Sequence, residues 1–140
     1  RAKYHQHIAK FFAASKYSRF SEMAEEAGRA KHFLDDMSVG LHVQRGNIFQ
    51  KWRDQKMHKR FEDYIYDNED TFIANSKKSP VDFKTDDFDD VFMSVVNYSK
   101  NSEFPNNNNQ ERWQIIAQNT VNVAMDASRV FLNKISEFLP

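Results

Sequence analysis

The chain has no cysteine, and only three glycines and three prolines among 140 residues. Without cysteine it forms neither disulfides nor thiolate-rich metal sites, so a secreted form would have to hold together by packing alone. So few glycines and prolines exclude a turn-rich β-protein, and the long breaker-free runs between them point to an all-α chain. No apolar run approaches the roughly 20 residues a membrane-crossing helix needs, which reads as a soluble protein. Catalytic signatures are lacking as well. No serine nucleophile, phosphate loop or paired carboxylate has support in the spacing, so the expectation is a non-enzyme that needs no cofactor.

What is abundant is aromatic side chain. Thirteen Phe, five Tyr and two Trp give a single domain spanning residues 1–140 enough material for one sizeable core. The formal net charge is zero, but the charges are segregated. Residues 1–60 carry thirteen Lys/Arg against six Asp/Glu, and residues 61–140 carry seven against fourteen. The halves either neutralise each other on folding or present opposite faces to a partner. The start at Arg1 rather than Met reads as a processed mature chain or an excised domain.

The stretch Arg45–Ala74 has one glycine, Gly46, at its entrance and no proline, so it reads as a long helix to about Asn68. Met57, Phe61, Ile65 and Phe72 fall on one side of it, and Ile48, Trp52, Tyr66 and Ile73 on another. Two apolar faces predict packing on two sides and hence the central position in a bundle. Arg53, Lys56 and Arg60 stack along the remaining edge. Before it, Tyr4, Ile8, Phe11 and Phe12 make a short stripe. Phe20, Met23, Ala27, Ala30, Leu34 and Met37 then make an amphipathic helix starting near Ser21, either separate or continuous with the first. Gly40 suits a helix C-terminus. Ser79-Pro80 stops the chain, and Thr85-Asp86-Asp87 starts a helix that buries Phe88, Val91, Phe92 and Val95. Ser99–Asn109 reads as an exposed loop. Gln110–Phe138 carries one stripe of Trp113, Ile116, Thr120, Ala124, Ala127, Phe131, Ile135 and Phe138. The predicted fold is therefore an all-α, up-and-down bundle of four to five helices around a long central helix. Trp52, Phe61, Phe92, Trp113, Ala124 and Phe131 are expected in its core.

Candidate sites are sparse. His5 and His7 lie about 200° apart on a helix and cannot chelate together from it. His32 and Asp36, at i and i+4, suit a surface hydrogen bond. Arg53 and His58 have the spacing of helical RNA-cutting domains, in which His handles a 2′-hydroxyl proton and Arg steadies phosphate. The aromatic usual two positions after that His is replaced by Arg60. Lys51–Arg60 mixes bases with Trp52 and Met57, but those apolar side chains lie on core faces, so a nucleic-acid partner is not expected. Asn97-Tyr98-Ser99 is an N-glycosylation sequon, meaningful only in a eukaryotic secreted chain.

Taken in order, several segments match a known pattern: Arg1, Lys10-Phe11-Phe12, the Gly40–Gln44 turn with Val43-Gln44 opening an aromatic-and-basic helix, and Ser79-Pro80-Val81 before an acid-capped short helix. Over about residues 1–100 the chain resembles the abalone sperm lysin family, which includes a fusion-associated acrosomal paralogue. The resemblance implies a non-enzymatic, disulfide-free helical protein, secreted and stored in the acrosomal vesicle of sperm. It would act in fertilisation by binding the egg vitelline envelope or by promoting membrane fusion. Its partner would be an egg-coat glycoprotein or a membrane surface, and a homodimer is left open. Arg45, Lys51, Arg53, Lys56, Lys59 and Arg60 fall on the family's basic central helix and become candidate partner contacts; on the residues alone they could equally be a solvated helix face. The chain departs from the family in being neutral overall and in its long last helix. Two other classes stay open: a helical sensor or interaction domain of a larger receptor, and the ribonuclease carrying Arg53 and His58.

Overall fold

The computed structural model describes residues 1–38, 48–103, 105 and 107–139, with the side chains of residues 48–54 and 107–109 outside the description. Gly40, Arg45 and the Gly40–Gln44 turn therefore lie outside the described residues, as do the side chains of Ile48 and Trp52. Among the described residues the chain is an all-α bundle of six α-helices and one 3-10 segment, with no strand. The helices are α1 (Ala2–Lys16), α2 (Phe20–Ser38), α3 (Ile48–Asp67), α4 (Glu69–Ala74), α5 (Phe88–Asn101) and α6 (Trp113–Ser136). The 3-10 segment, Asn107–Arg112, leads into α6.

The first stripe and the second are separate helices. The break lies at Tyr17–Arg19, where Ser18 takes φ 54°, the left-handed region that favours glycine. Ser18 N–H donates to the Ser15 carbonyl and Arg19 N–H to the Ala14 carbonyl, each at 3.0 Å. This closes α1 as a Schellman motif with a serine where glycine would be unstrained. The turn folds α1 back on α2, burying Tyr4, Ile8 and Phe11 against Met23, Ala27, Ala30 and Leu34. The N-cap of α5 falls two residues after Thr85. Asp87 is the N-cap, its Oδ1 accepting from the Asp89 N–H at 2.9 Å and the Asp90 N–H at 3.2 Å. Thr85 Oγ1 instead donates to Asp90 Oδ2. The predicted face of Phe88, Val91, Phe92 and Val95 is buried as a unit. The expected loop from Ser99 is shorter, because α5 runs to Asn101 and the polar Asn/Gln stretch coils as 3-10 from Asn107.

The bundle's long central helix is α6, rather than the Arg45–Ala74 stretch. Its second half, with Val123, Ala127, Phe131 and Ile135, packs into one core with α1, α2 and α5. Its first half, with Trp113, Ile116 and Ala117, packs into a second core with Met57 and Phe61 of α3 and Phe72 of α4. Phe61, Phe92, Trp113 and Phe131 are buried as expected. Ala124 and Thr120 are only half-buried, because the α6 stripe drifts around the helix and these two face the gap between the cores. Phe138 lies past the helix end and is partly exposed, its ring edge-on to Phe12 at 4.9 Å. The Arg45–Ala74 stretch divides at Asn68, whose Nδ2 donates to the Tyr64 carbonyl at 2.8 Å.

Between α4 and α5 an extended strap crosses α6 and is tied to it by two polar side chains. Buried Asn122 Oδ1 accepts from the Lys77 N–H and from Gln118 Nε2, both at 3.0 Å. Asp126 Oδ2 accepts the Ser79 N–H at 2.6 Å. Gln118 Nε2 also reaches the Phe72 carbonyl at 3.0 Å, so one polar ladder holds α4 and the strap against α6. It satisfies backbone groups that would otherwise be stranded against the core.

Candidate functional site

The face of α3 that enters the core is narrow, marked by Met57 and Phe61. At 100° per residue, Lys56 and Arg60 stand on one flank of that face and Glu62, Ile65 and Tyr66 on the other. The two flanks have different chemistry.

The first flank carries Lys56 and Arg60 of the predicted row of Arg53, Lys56 and Arg60. Lys56, Lys59 and Arg60 are exposed. Lys59 Nζ lies 3.2 Å from both carboxylate oxygens of Asp63, one turn on, and the Arg60 guanidinium sits 5.7 Å from the centre of the Trp113 ring. The aromatic edge of the second core thus steadies Arg60 without withdrawing its charge from water. Lys51 and Arg53 fall on α3 with side chains outside the description, and Arg45 is outside the described residues. His58 Nε2 lies 2.6 Å from Glu62 Oε1.

The second flank opens onto a groove of about 820 Å³ between α2, α3, α4 and α6. Its apolar surface comes from Ile65, Tyr66, Ile73, Val121, Met125 and Leu132. Tyr66 is 77% exposed, Leu132 47%, Ile73 43% and Met125 40%. The second apolar side expected of the Arg45–Ala74 stretch is therefore not packed at Tyr66 and Ile73. The two cores of α6 diverge around Thr120–Asn133, and no described helix fills the space between them. Sequence reasoning saw the Tyr66–Ile73 pair but read it as core. Met125 and Leu132 lie seven apart on α6, off the main stripe, and that spacing was the signal for an apolar face turned the other way. Polar groups rim the groove. Lys31 pairs with Asp35, which also accepts from Ser128 Oγ at 2.8 Å, and Arg129 pairs with Asp126 at 3.1 Å. Asp36, Glu62 and Glu69 complete the lining.

The histidines of α1 go to different partners, as their angular separation requires. His5 lies 2.8 Å from Asp89, which Arg1 also engages, and His7 meets Glu26 of α2 while stacking on Phe33. The Arg1 hydrogen bond, followed by that from His5, holds the Asp89 carboxyl below its ordinary range. The His7 hydrogen bond, with the charges of Lys10 and Arg29 behind it, does the same for the nearly buried Glu26. His32 and Asp36 make the expected surface contact at 3.5 Å. No group of three or more metal-ligating side chains occurs among the described residues, and no described helix is long and apolar enough to cross a membrane.

Among the described residues this is a helical bundle with exposed basic side chains on α3 and an open apolar groove beside it. Comparison with protein-family models, with curated proteins and with solved structures finds no match.

Proposed function

We propose that the chain is a non-enzymatic binding protein that meets an acidic partner surface through the cationic edge of α3. One observation carries the reading: Lys56, Lys59 and Arg60 are all exposed within two turns of a helix whose core face is anchored through Met57 and Phe61. The edge is thus held in fixed register by the core and needs no refolding to engage a surface. The resemblance to sperm lysins supplies the setting: a secreted acrosomal protein acting in fertilisation, with an egg-coat glycoprotein or an egg membrane as the acidic surface. Arg53, at helical spacing from Lys56 and Arg60, extends the same edge in sequence.

Reversing Lys56, Lys59 and Arg60 together to Glu tests it. Basic side chains near an anionic surface contribute about 1 kcal/mol each, so losing three should weaken binding to egg envelopes or anionic vesicles by about a hundredfold or more. Exposed charges contribute only about 0–1 kcal/mol to folding, so the melting temperature should change little. A variant that melts lower yet binds as well as the parent would remove this edge from the functional account.

A further inference from the structure

The groove is a separate surface from the cationic edge, on the other flank of α3, and the function above makes no use of it. We propose that it is a docking site for an amphipathic helix of another protein, apolar along one face and basic along its flanks.

Three observations select this occupant. The first is shape. The α6 wall from Thr120 to Asn133 is about 20 Å long at 1.5 Å per residue, which accepts three to four helical turns. A volume of about 820 Å³ also lies within the range of small-molecule pockets, but those enclose most of their ligand. Here Tyr66, Ile73, Met125 and Leu132 are themselves 40–77% exposed, so those walls are low and the groove is a trough. A trough of this length is read by anchors at i, i+3/i+4 and i+7 of a helix.

The second is charge. Among the described residues the lining holds four acids, Asp35, Asp36, Glu62 and Glu69, against two cations, Lys31 and Arg129. Lys31 pairs with Asp35, Arg129 with Asp126 and Glu62 with His58, which leaves a formal excess of two acids in the lining. An acidic rim around an apolar floor favours basic flanks on the incoming segment and disfavours an anionic lipid surface.

The third concerns a second copy of this chain. A two-fold contact would bring the same patch against itself, setting acid rim on acid rim. The charge excess that attracts a basic helix opposes that pairing.

The test uses the whole 140-residue chain and two fluorescein-labelled peptides of about 14 residues with the same leucine face, one flanked by Lys and one by Glu. The Lys-flanked helix should bind, and the Glu-flanked one should bind at least tenfold more weakly. Met125→Asp with Leu132→Asp, both at exposed positions and checked by circular dichroism, should weaken the Lys-flanked helix at least tenfold. Glu62→Lys with Glu69→Lys should invert the preference between peptides. Equal binding of both peptides, or binding indifferent to Leu132→Asp, would overturn the proposal. So would saturable binding of a fluorescent fatty acid in place of either helix, or a dimer in sedimentation that Leu132→Asp dissolves. Binding of the Glu-flanked peptide through the cationic edge would be lost on reversing Lys56, Lys59 and Arg60 to Glu and unchanged by Leu132→Asp, so measuring both peptides on that triple variant separates the two readings.

Discussion

Phe131 is the residue on which the larger core closes. It is fully buried, with the Phe88 ring 5.5 Å away edge-on and the Tyr4 ring at 6.3 Å, so α1, α5 and α6 meet at one side chain. Phe131→Ala removes the transfer contribution of a buried Phe, about 1.5–3 kcal/mol. It also forfeits aromatic pairing of about 0.5–1.5 kcal/mol and leaves a cavity lined by neighbours fixed from three helices. The sum lies at about 3–5 kcal/mol, the range measured for large aromatic truncations in cores. For a domain of this size each kcal/mol moves the melting temperature by roughly 3–4 °C, so a fall of roughly 9–20 °C is expected. Urea unfolding followed by circular dichroism gives the same quantity as a reduced midpoint at unchanged slope. A loss below about 1 kcal/mol would mean that Phe131 is not where the helices converge, and the placement of α1 and α5 around α6 would be wrong.

Three smaller perturbations test the connections between elements. Asn122→Ala strands the Lys77 N–H and one donor of Gln118, and should cost about 1–3 kcal/mol in chemical unfolding. Ser18→Gly should stabilise by a few tenths to about 1 kcal/mol, because glycine takes φ 54° without strain; calorimetry reads it as a raised melting temperature. Glu26 and Asp89 have folded-state pKa values below their unfolded ones. Their stabilisation is full above the ordinary carboxylate pKa of about 4 and is lost as pH falls from there through the lower folded-state values. Glu26→Gln should flatten the acid limb of a melting-temperature curve recorded from pH 7 to pH 3.

Helical periodicity made much of this fold legible. Phe88, Val91, Phe92 and Val95 share one face at helical spacing, and all are buried. The division of the Arg45–Ala74 stretch near Asn68 was legible too, because acids crowd there against the helix dipole. Periodicity assigns an angular position on a helix, however, and does not say which neighbour arrives. Tyr66 and Ile73 lie on an apolar side of their stretch, yet the two cores of α6 diverge opposite them and leave that side open. Asn122, Asp126 and Glu26 escaped notice for a related reason. Each is a polar side chain whose partner lies 19 to 47 residues away, Lys77 for Asn122, Ser79 for Asp126 and His7 for Glu26. Only the folded path of the chain brings such pairs together. Among the basic residues, Lys56 and Arg60 of the predicted row are exposed, and so is Lys59, which that row did not include.

The most direct measurement is the salt dependence of binding between the purified chain and isolated egg envelopes, with anionic and neutral vesicles in parallel. The Debye length falls from about 10 Å at 0.1 M to about 3 Å at 1 M, so a contact made by exposed lysines and arginines should weaken steeply across that range. The cationic-edge account predicts saturable binding to an acidic surface that drops at least tenfold between those salt concentrations and is absent on neutral vesicles. Binding that holds constant or strengthens with added salt would contradict it.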